Sequence, residues 1–80
     1  MPTVHEEEGC QFIINTNDHL PRHVHVKVSG YIVVVSLAPS VAVLRESNAS
    51  AADIQKAQRL TLKNRSKLRR AWNKIHKPVR

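Results

Sequence analysis

The C-terminal third of the chain carries a helical pattern that limits the folds available to it. Between residues 51 and 76, apolar or small side chains recur at every third or fourth position, which is the period of an α-helix with one face against a core. Ser50 places a hydroxyl at the N-cap, with Asp53 three residues later, and Pro78 bars continuation of the helix. We therefore predict one long helix over about residues 51–76. Its core-facing positions are Ile54, Ala57, Thr61, Asn64, Leu68, Ala71, Trp72 and Ile75.

The first half of the chain predicts antiparallel strands. Residues 23–28 alternate polar and apolar side chains, which is typical of a half-buried strand, and Ser29-Gly30 fits a two-residue hairpin turn. Residues 31–37 are apolar on both faces, as in a central strand. The fold class is α+β: a small antiparallel β-meander of three to five strands within residues 3–44, packed by one long C-terminal α-helix, in a single domain of residues 1–80. The shorter predicted strands are Thr3–His5, Gln11–Asn15 and Val41–Leu44.

The opposite face of the predicted helix is cationic. Seven basic residues fall within a wedge of roughly 80° on a helix of 3.6 residues per turn. Residues 51–80 hold ten basic side chains and one acidic side chain, whereas residues 1–50 hold three and five. Like charges at this spacing weaken a helix, so this basic stripe indicates an anionic partner, either a nucleic acid or an acidic protein; the alternative is a solubilising surface. The basic stripe consists of Lys56, Arg59, Lys63, Lys67, Arg70, Lys74 and Lys77.

A second candidate site lies on the strand over residues 23–28. Alternation places His23, His25 and Lys27 on one side, with successive Cα atoms about 6.5 Å apart. Three interpretations stay open. The row is a polar strand face with structural hydrogen bonds, or a metal site with His19 as third donor, or the acid and base of metal-independent RNA cleavage, with Lys27 or Arg22 stabilising the developing charge.

The geometry of these two sites leads to a further expectation. If the helix packs on the valines of the same strand, the histidine row and the basic stripe lie on opposite sides of the protomer. Residues 31–37 are apolar on both faces, so Ile32 and Val34 on the second face then favour a cover such as a homodimer partner.

Composition narrows the function classes. A chain of 80 residues buries only about 60% of its unfolded surface, so its core is thin. Cys10 is the only cysteine, which rules out an intramolecular disulfide, and no apolar run reaches the roughly 18 residues of a membrane span. We expect a cytoplasmic protein that does not engage a membrane. The histidine row contains no carboxylate and no thiolate pair, so we assign no metal and no cofactor.

Three stretches of the chain resemble a known family. Residues 1–4 (Met-Pro-Thr-Val), residues 17–26 (Asn-Asp-His-Leu-Pro-Arg-His-Val-His-Val) and the Asn64, Leu68, Trp72 spacing are similar to the small bacterial domain-of-unknown-function family 4160. The resemblance implies a compact α+β protein, often encoded beside a second small protein in the manner of toxin–antitoxin pairs. It marks His19, Pro21, His23 and His25 as a site. Asp18 and Arg22 depart from the usual pattern, which has a glutamate and a second proline there.

We therefore predict a small basic nucleic-acid-binding protein, directed to RNA more than to DNA, in a toxin–antitoxin-like system. The predicted contacts are the basic stripe together with Arg22 and Lys27. One alternative is a ribonuclease that uses His23 and His25 with His19 as orienting partner. A second alternative is a protein-interaction module whose basic helix docks an acidic partner.

Overall fold

A five-stranded antiparallel sheet followed by two helices forms the structure. The computed structural model describes residues 3–15, 22–38, 40–46 and 48–76. The strands follow one another in the sheet in chain order, as a meander, and both helices come after the last strand. The elements are β1 (Thr3–Glu7), β2 (Cys10–Ile13), β3 (His23–Val28), β4 (Tyr31–Ser36), β5 (Ala42–Glu46), α1 (Ala51–Lys63) and α2 (Arg65–Ile75).

Two tight turns connect the strands of the β1–β2 and β3–β4 hairpins. Ser29 and Gly30 have φ of 51° and 82°, and Glu8 and Gly9 have φ of 51° and 80°. Positive φ at both central residues is the signature of the type I′ turn, whose twist matches that of the flanking strands. The hairpin predicted at Ser29-Gly30 is thereby confirmed, and its register pairs Val28 with Tyr31.

The hydrophobic core lies between one face of the sheet and the helices. Alternation along β3 sends Val24, Val26 and Val28 to this face, where Val24 and Val26 are fully buried. Thr61 is also buried, and its hydroxyl donates to the Ala57 carbonyl at 2.7 Å, so this polar group on the core-facing helix surface is satisfied. The core residues are Cys10, Phe12, Ile14, Val24, Val26, Val28, Val33, Val35, Leu37, Ala57, Leu60, Leu68 and Trp72.

The helix predicted over residues 51–76 is present as two consecutive helices, which divide at Asn64. The backbone there has φ −105° and ψ 17°, outside helical values, although Leu68 N still donates to the Asn64 carbonyl at 2.9 Å. The Asn64 side chain is the cause: Nδ2 donates to the Leu60 carbonyl at 2.8 Å and to Glu7 Oε1 at 2.9 Å. An asparagine side chain that bonds local carbonyls competes with regular helix geometry. The predicted end near residue 76 agrees with α2, for which His76 is the C-cap.

The α+β class and the antiparallel meander are otherwise as predicted, with five strands. The last strand is displaced: β5 covers Ala42–Glu46, and its register with β4 shifts between Val34 and Val35. None of the helices in the described ranges is long and apolar enough to cross a membrane.

The N-cap of α1 provides a test of the helix start. Ser50 Oγ accepts from Asp53 N at 3.1 Å, as the sequence predicts. We expect Ser50→Ala to lower the free energy of unfolding by about 1 kcal/mol, because this backbone N–H loses its partner. Urea denaturation measures the change. Ser66→Ala, at an exposed position in α2, is the matched control and should change stability by no more than about 0.5 kcal/mol; equal effects of the two substitutions would contradict the assignment.

Candidate nucleic-acid interface

Part of the basic stripe is paired with acids of the chain. Two of its α1 members lie against the β1–β2 hairpin, where they meet carboxylates. Arg59 Nη2 donates to Glu8 Oε1 at 3.0 Å, and Lys63 Nζ donates to Glu7 Oε2 at 2.5 Å. The side chains of Arg59 and Lys63 remain 58% and 60% exposed. Part of the charge that the sequence assigned to a partner is therefore compensated within the chain.

Glu7 is the centre of this contact. It is paired in register with the buried Cys10, which directs it to the helix side of the sheet. In addition to Lys63, its carboxylate accepts from Asn64 Nδ2 at 2.9 Å and from His5 Nε2 at 2.9 Å. These hydrogen bonds, that from Lys63 foremost, lower the pKa of Glu7 from its ordinary 4.5 to about 2. The carboxylate thus stays ionised in the folded protein down to strongly acidic pH.

His5 extends the network to α2. Its Nδ1 lies 3.0 Å from Lys67 Nζ, and an ammonium can only donate, so Nδ1 is the acceptor. Nε2 then carries the hydrogen that His5 donates to Glu7. The His5 ring also lies against Phe12, with centroids 5.3 Å apart. The chain Lys67–His5–Glu7 connects the helix charge to the edge strand.

The remaining charge of the basic stripe is concentrated on α2. This helix carries five basic side chains and no acidic one in its sequence RSKLRRAWNKI. Lys67, Arg70 and Lys74 are exposed and fall within a wedge of roughly 60°, on the side away from the buried Leu68 and Trp72. We call these three residues the α2 cationic face. Lys56, on α1, is half-buried, and the predicted contact Lys77 lies outside the described residues.

The histidine row meets the end of α2. The His23 and His25 rings contact edge to face, with centroids 5.2 Å apart, and the other side of His23 lies against Trp72 at 5.3 Å. His76 stacks on Trp72, with centroids 3.9 Å apart and planes 23° apart. The row therefore contacts α2 through the core-facing Trp72 and not through the basic stripe, and the expectation that row and basic stripe lie on opposite sides stays a prediction. The indole of Trp72 contacts His23, the first residue of β3. Successive ring contacts therefore connect His25, His23, Trp72 and His76.

Arg22 belongs to the same junction. Its Nε donates to Asn73 Oδ1 at 3.1 Å, which joins the residue before β3 to the exposed side of α2. Asn73 lies three residues after Arg70, which makes the two neighbours on the helix surface, so Arg22 lies beside the α2 cationic face. Lys27 is exposed farther along β3. The structure thus brings Arg22, His23 and His25 to the end of α2, and leaves Lys27 apart from them.

Two residues of this junction, Asn73 and His76, were not identified from the sequence. The signal for His76 was its position four residues after Trp72, which places both rings on one side of a helix. His19 and Pro21, the other family positions, lie outside the described residues. Within the part of the chain that the structure describes, no group of three or more His, Cys, Asp or Glu side chains is placed to hold a metal ion.

The second face of the sheet offers little uncovered apolar surface in its centre. Val34 is only 7% exposed, and Ile32 is half-buried. The predicted homodimer through this face stays a prediction, which sedimentation at high micromolar concentration tests.

The lowered pKa of Glu7 predicts how stability depends on pH. A carboxyl whose pKa is depressed in the folded state stabilises it fully above the unfolded value, near 4.5, and loses this contribution as pH falls toward 2. We expect Glu7→Gln to lower the melting temperature at pH 7, and the gap to wild type to shrink between about pH 4.5 and 2. Glu6→Gln, a charge removal on the same strand at an exposed position, is the control. A gap that is constant from pH 7 to 2 would refute the role of Glu7.

Comparison with known proteins identifies the family. Residues 9–73 match the family described as "Domain of unknown function (DUF4160)". The match runs from the turn before β2 to Asn73 in α2, and so covers more than half of the chain. No curated protein and no solved structure matches it. On this match the chain belongs to the DUF4160 family of domains of unknown function.

Proposed function

We propose that the protein binds RNA through the α2 cationic face, with Arg22 extending the contact at its end. The observation that carries the proposal is the distribution of acids on the helix side. Glu7 and Glu8 compensate Arg59 and Lys63 on α1, whereas α2 itself holds five basic side chains and no acid. Cations aligned on one exposed surface of a helix that itself contains no acid are the electrostatic footprint of a nucleic-acid-binding protein.

The dimensions of the α2 cationic face fit a short stretch of phosphates. Lys67 and Lys74 are seven residues apart, which is about 10 Å along a helix axis. One strand of a duplex places a phosphate about every 3.4 Å of axis, so this face spans about three. With Arg22 the interface reaches about four phosphate contacts. An interface of this size binds by charge and is displaced by salt.

Backbone contact, rather than base stacking, is the mode that the aromatic residues favour. Phe12 and Trp72 are buried in the core, and Tyr31, the third aromatic, is 42% exposed. Proteins that read unpaired bases stack them on several exposed aromatic rings. We therefore infer weak sequence preference. The toxin–antitoxin-like setting follows from the family resemblance, which supplies the biological context of the proposal.

The first test removes charge from the α2 cationic face. For about four phosphate contacts, log K should fall against log salt with a slope of about −3 to −4. We expect the triple variant Lys67→Gln, Arg70→Gln, Lys74→Gln to flatten this slope by about 2 to 3. The variant makes fewer phosphate contacts, so its binding releases fewer counterions from the RNA. Fluorescence anisotropy with a labelled RNA, between 50 and 200 mM salt, measures the slope.

A matched double variant sharpens this test. Arg59→Gln with Lys63→Gln removes two charges that are already compensated by Glu8 and Glu7, so it should change the slope much less than the triple variant does. Circular dichroism checks that each variant is folded. If the triple variant binds RNA like wild type, or if the double variant has the larger effect, the α2 cationic face is not the binding surface.

A ribonuclease is the second candidate, and the arrangement at the end of α2 favours it. Arg22, His23 and His25 lie together beside the proposed RNA-binding face, and two imidazoles can act as general base and general acid. The geometry also limits the idea, because both rings are half-buried and His23 is packed between His25 and Trp72. A catalytic role therefore requires that the phosphodiester reaches an edge of each ring that the neighbouring rings do not cover.

The histidine variants decide between these two functions. If the row is catalytic, His23→Ala and His25→Ala should each abolish RNA cleavage, leave RNA affinity nearly unchanged, and remove a bell-shaped pH profile between about pH 5 and 8. Thermal melts distinguish loss of catalysis from loss of packing. We expect the larger loss of packing in His23→Ala, because the His23 ring contacts Trp72. A folded His25→Ala variant that cleaves RNA at the wild-type rate would establish a structural role for His25.

A further inference from the structure

A separate groove lies on the other side of the helices. It has a volume of about 450 Å³ and runs between the helices and the segment before β5. Leu62 lines it and is 49% exposed. Val41 is half-buried in the same groove. Leu62 and Val41 form a small apolar floor in a groove whose other described lining residues are polar or cationic.

The rim of this groove is cationic. Arg65 and Arg69, one turn apart at the start of α2, both line it. Arg69 Nε donates to the Leu37 carbonyl at 2.6 Å, which fixes its guanidinium against the end of β4. The other described lining residues are Ser40, Val41 and Leu62, so no described lining residue is acidic. We call this feature the Leu62 groove.

We propose that the Leu62 groove docks an acidic segment of another protein, which inserts one large apolar side chain onto Leu62 and Val41 and pairs carboxylates with Arg65 and Arg69. The argument is complementarity of two kinds in one place. Guanidinium groups match carboxylates in a fixed, planar geometry, and burial of an apolar side chain on the floor adds a driving force that charge alone lacks. This function is additional to RNA binding.

The apolar floor also distinguishes a protein from a nucleic acid as occupant. Phosphates gain nothing from contact with Leu62, and bases stack on aromatic rings or guanidinium planes rather than on aliphatic side chains. The Leu62 groove is separate from the α2 cationic face as well. Arg65 and Arg69 lie roughly 150° around α2 from Lys67, Arg70 and Lys74, so a peptide and an RNA can bind at the same time.

A pair of defined peptides tests the proposal on the full chain. The probe is a blocked ten-residue peptide of alternating glutamate and serine with one central leucine, and its partner carries serine in place of the leucine. We expect wild type to bind the leucine peptide about fivefold more tightly at 150 mM salt, as burial of part of one leucine provides. Leu62→Asn should reduce this ratio to below about twofold, and Arg65→Gln should weaken both peptides by a similar factor.

Matched variants keep each outcome decisive. Leu44→Asn removes a leucine that is 51% exposed on β5 outside the groove, and should leave the ratio unchanged. Arg70→Gln controls for general charge and should weaken the peptides less than Arg65→Gln does. Equal binding of the two peptides by wild type, or a ratio that survives Leu62→Asn in a folded variant, overturns the proposal. A third outcome also overturns it. If wild type binds both peptides equally and Arg65→Gln reduces RNA affinity as much as Arg70→Gln does, the Leu62 groove is part of the RNA-binding surface.

Discussion

The carboxylate of Glu7 is the contact on which the arrangement of sheet and helices depends. It lies at the end of the edge strand β1 and accepts hydrogen bonds from Lys63, Asn64 and His5. Its hydrogen bond with Asn64 lies at the residue between α1 and α2, and His5 connects it to Lys67 on α2. Charge-assisted hydrogen bonds of this kind are stronger than neutral ones and fix geometry. A single acidic residue thus links β1 directly to α1 and Asn64 and, through His5, to α2.

This contact also explains how the electrostatics of the molecule are divided. A stripe of like charges along one helix is a source of repulsion, and the β1–β2 hairpin relieves it where the helix lies over the sheet. The relief ends with α1, because the acids of β1 and its turn reach only Arg59 and Lys63. Among the described residues, no acid pairs with a cation of α2, and these cations divide between two surfaces. Lys67, Arg70 and Lys74 form one, and Arg65 with Arg69 forms the rim of the Leu62 groove.

Sequence patterns predicted the elements well and their mutual contacts poorly. The alternation of β3, the Ser29-Gly30 turn and the Ser50 N-cap are local signals, in which each residue responds to its near neighbours, and all three agree with the structure. The contacts at Asn64 could be predicted only in part, because one of the two acceptors of its side chain is a carboxylate from a strand 57 residues away. The contact of His23 with Trp72 is similarly nonlocal, since strand alternation gives the face of a residue but not what reaches it beyond the end of the sheet.

The candidate sites show the same limit: local sequence features were predicted, and contacts between distant parts of the chain were not. Residue types and spacing identified the basic stripe and the histidine row, but they gave no information on which cations are compensated. Arg59 and Lys63 look identical to Arg70 and Lys74 in the sequence; only the placement of Glu7 and Glu8 distinguishes them. The Leu62 groove left no sequence signal, because Leu62 was assigned to neither face of the predicted helix and Val41 to a strand end.

The pairing of the first strand with the last helices has a consequence for folding during synthesis. The meander is built from neighbouring strands, so its hairpins can close early, as contacts between residues near in sequence do. The face that carries Phe12, Val26 and Val33 stays uncovered until the residues of α1 and α2 have been made, and β1 gains its partners on Lys63 and Asn64 only then. A nascent chain of this protein therefore exposes an apolar sheet surface until its helices have been made. Such surfaces promote aggregation of incomplete chains, so chaperone contact at this stage and rapid closure by the helices are of direct value to the cell.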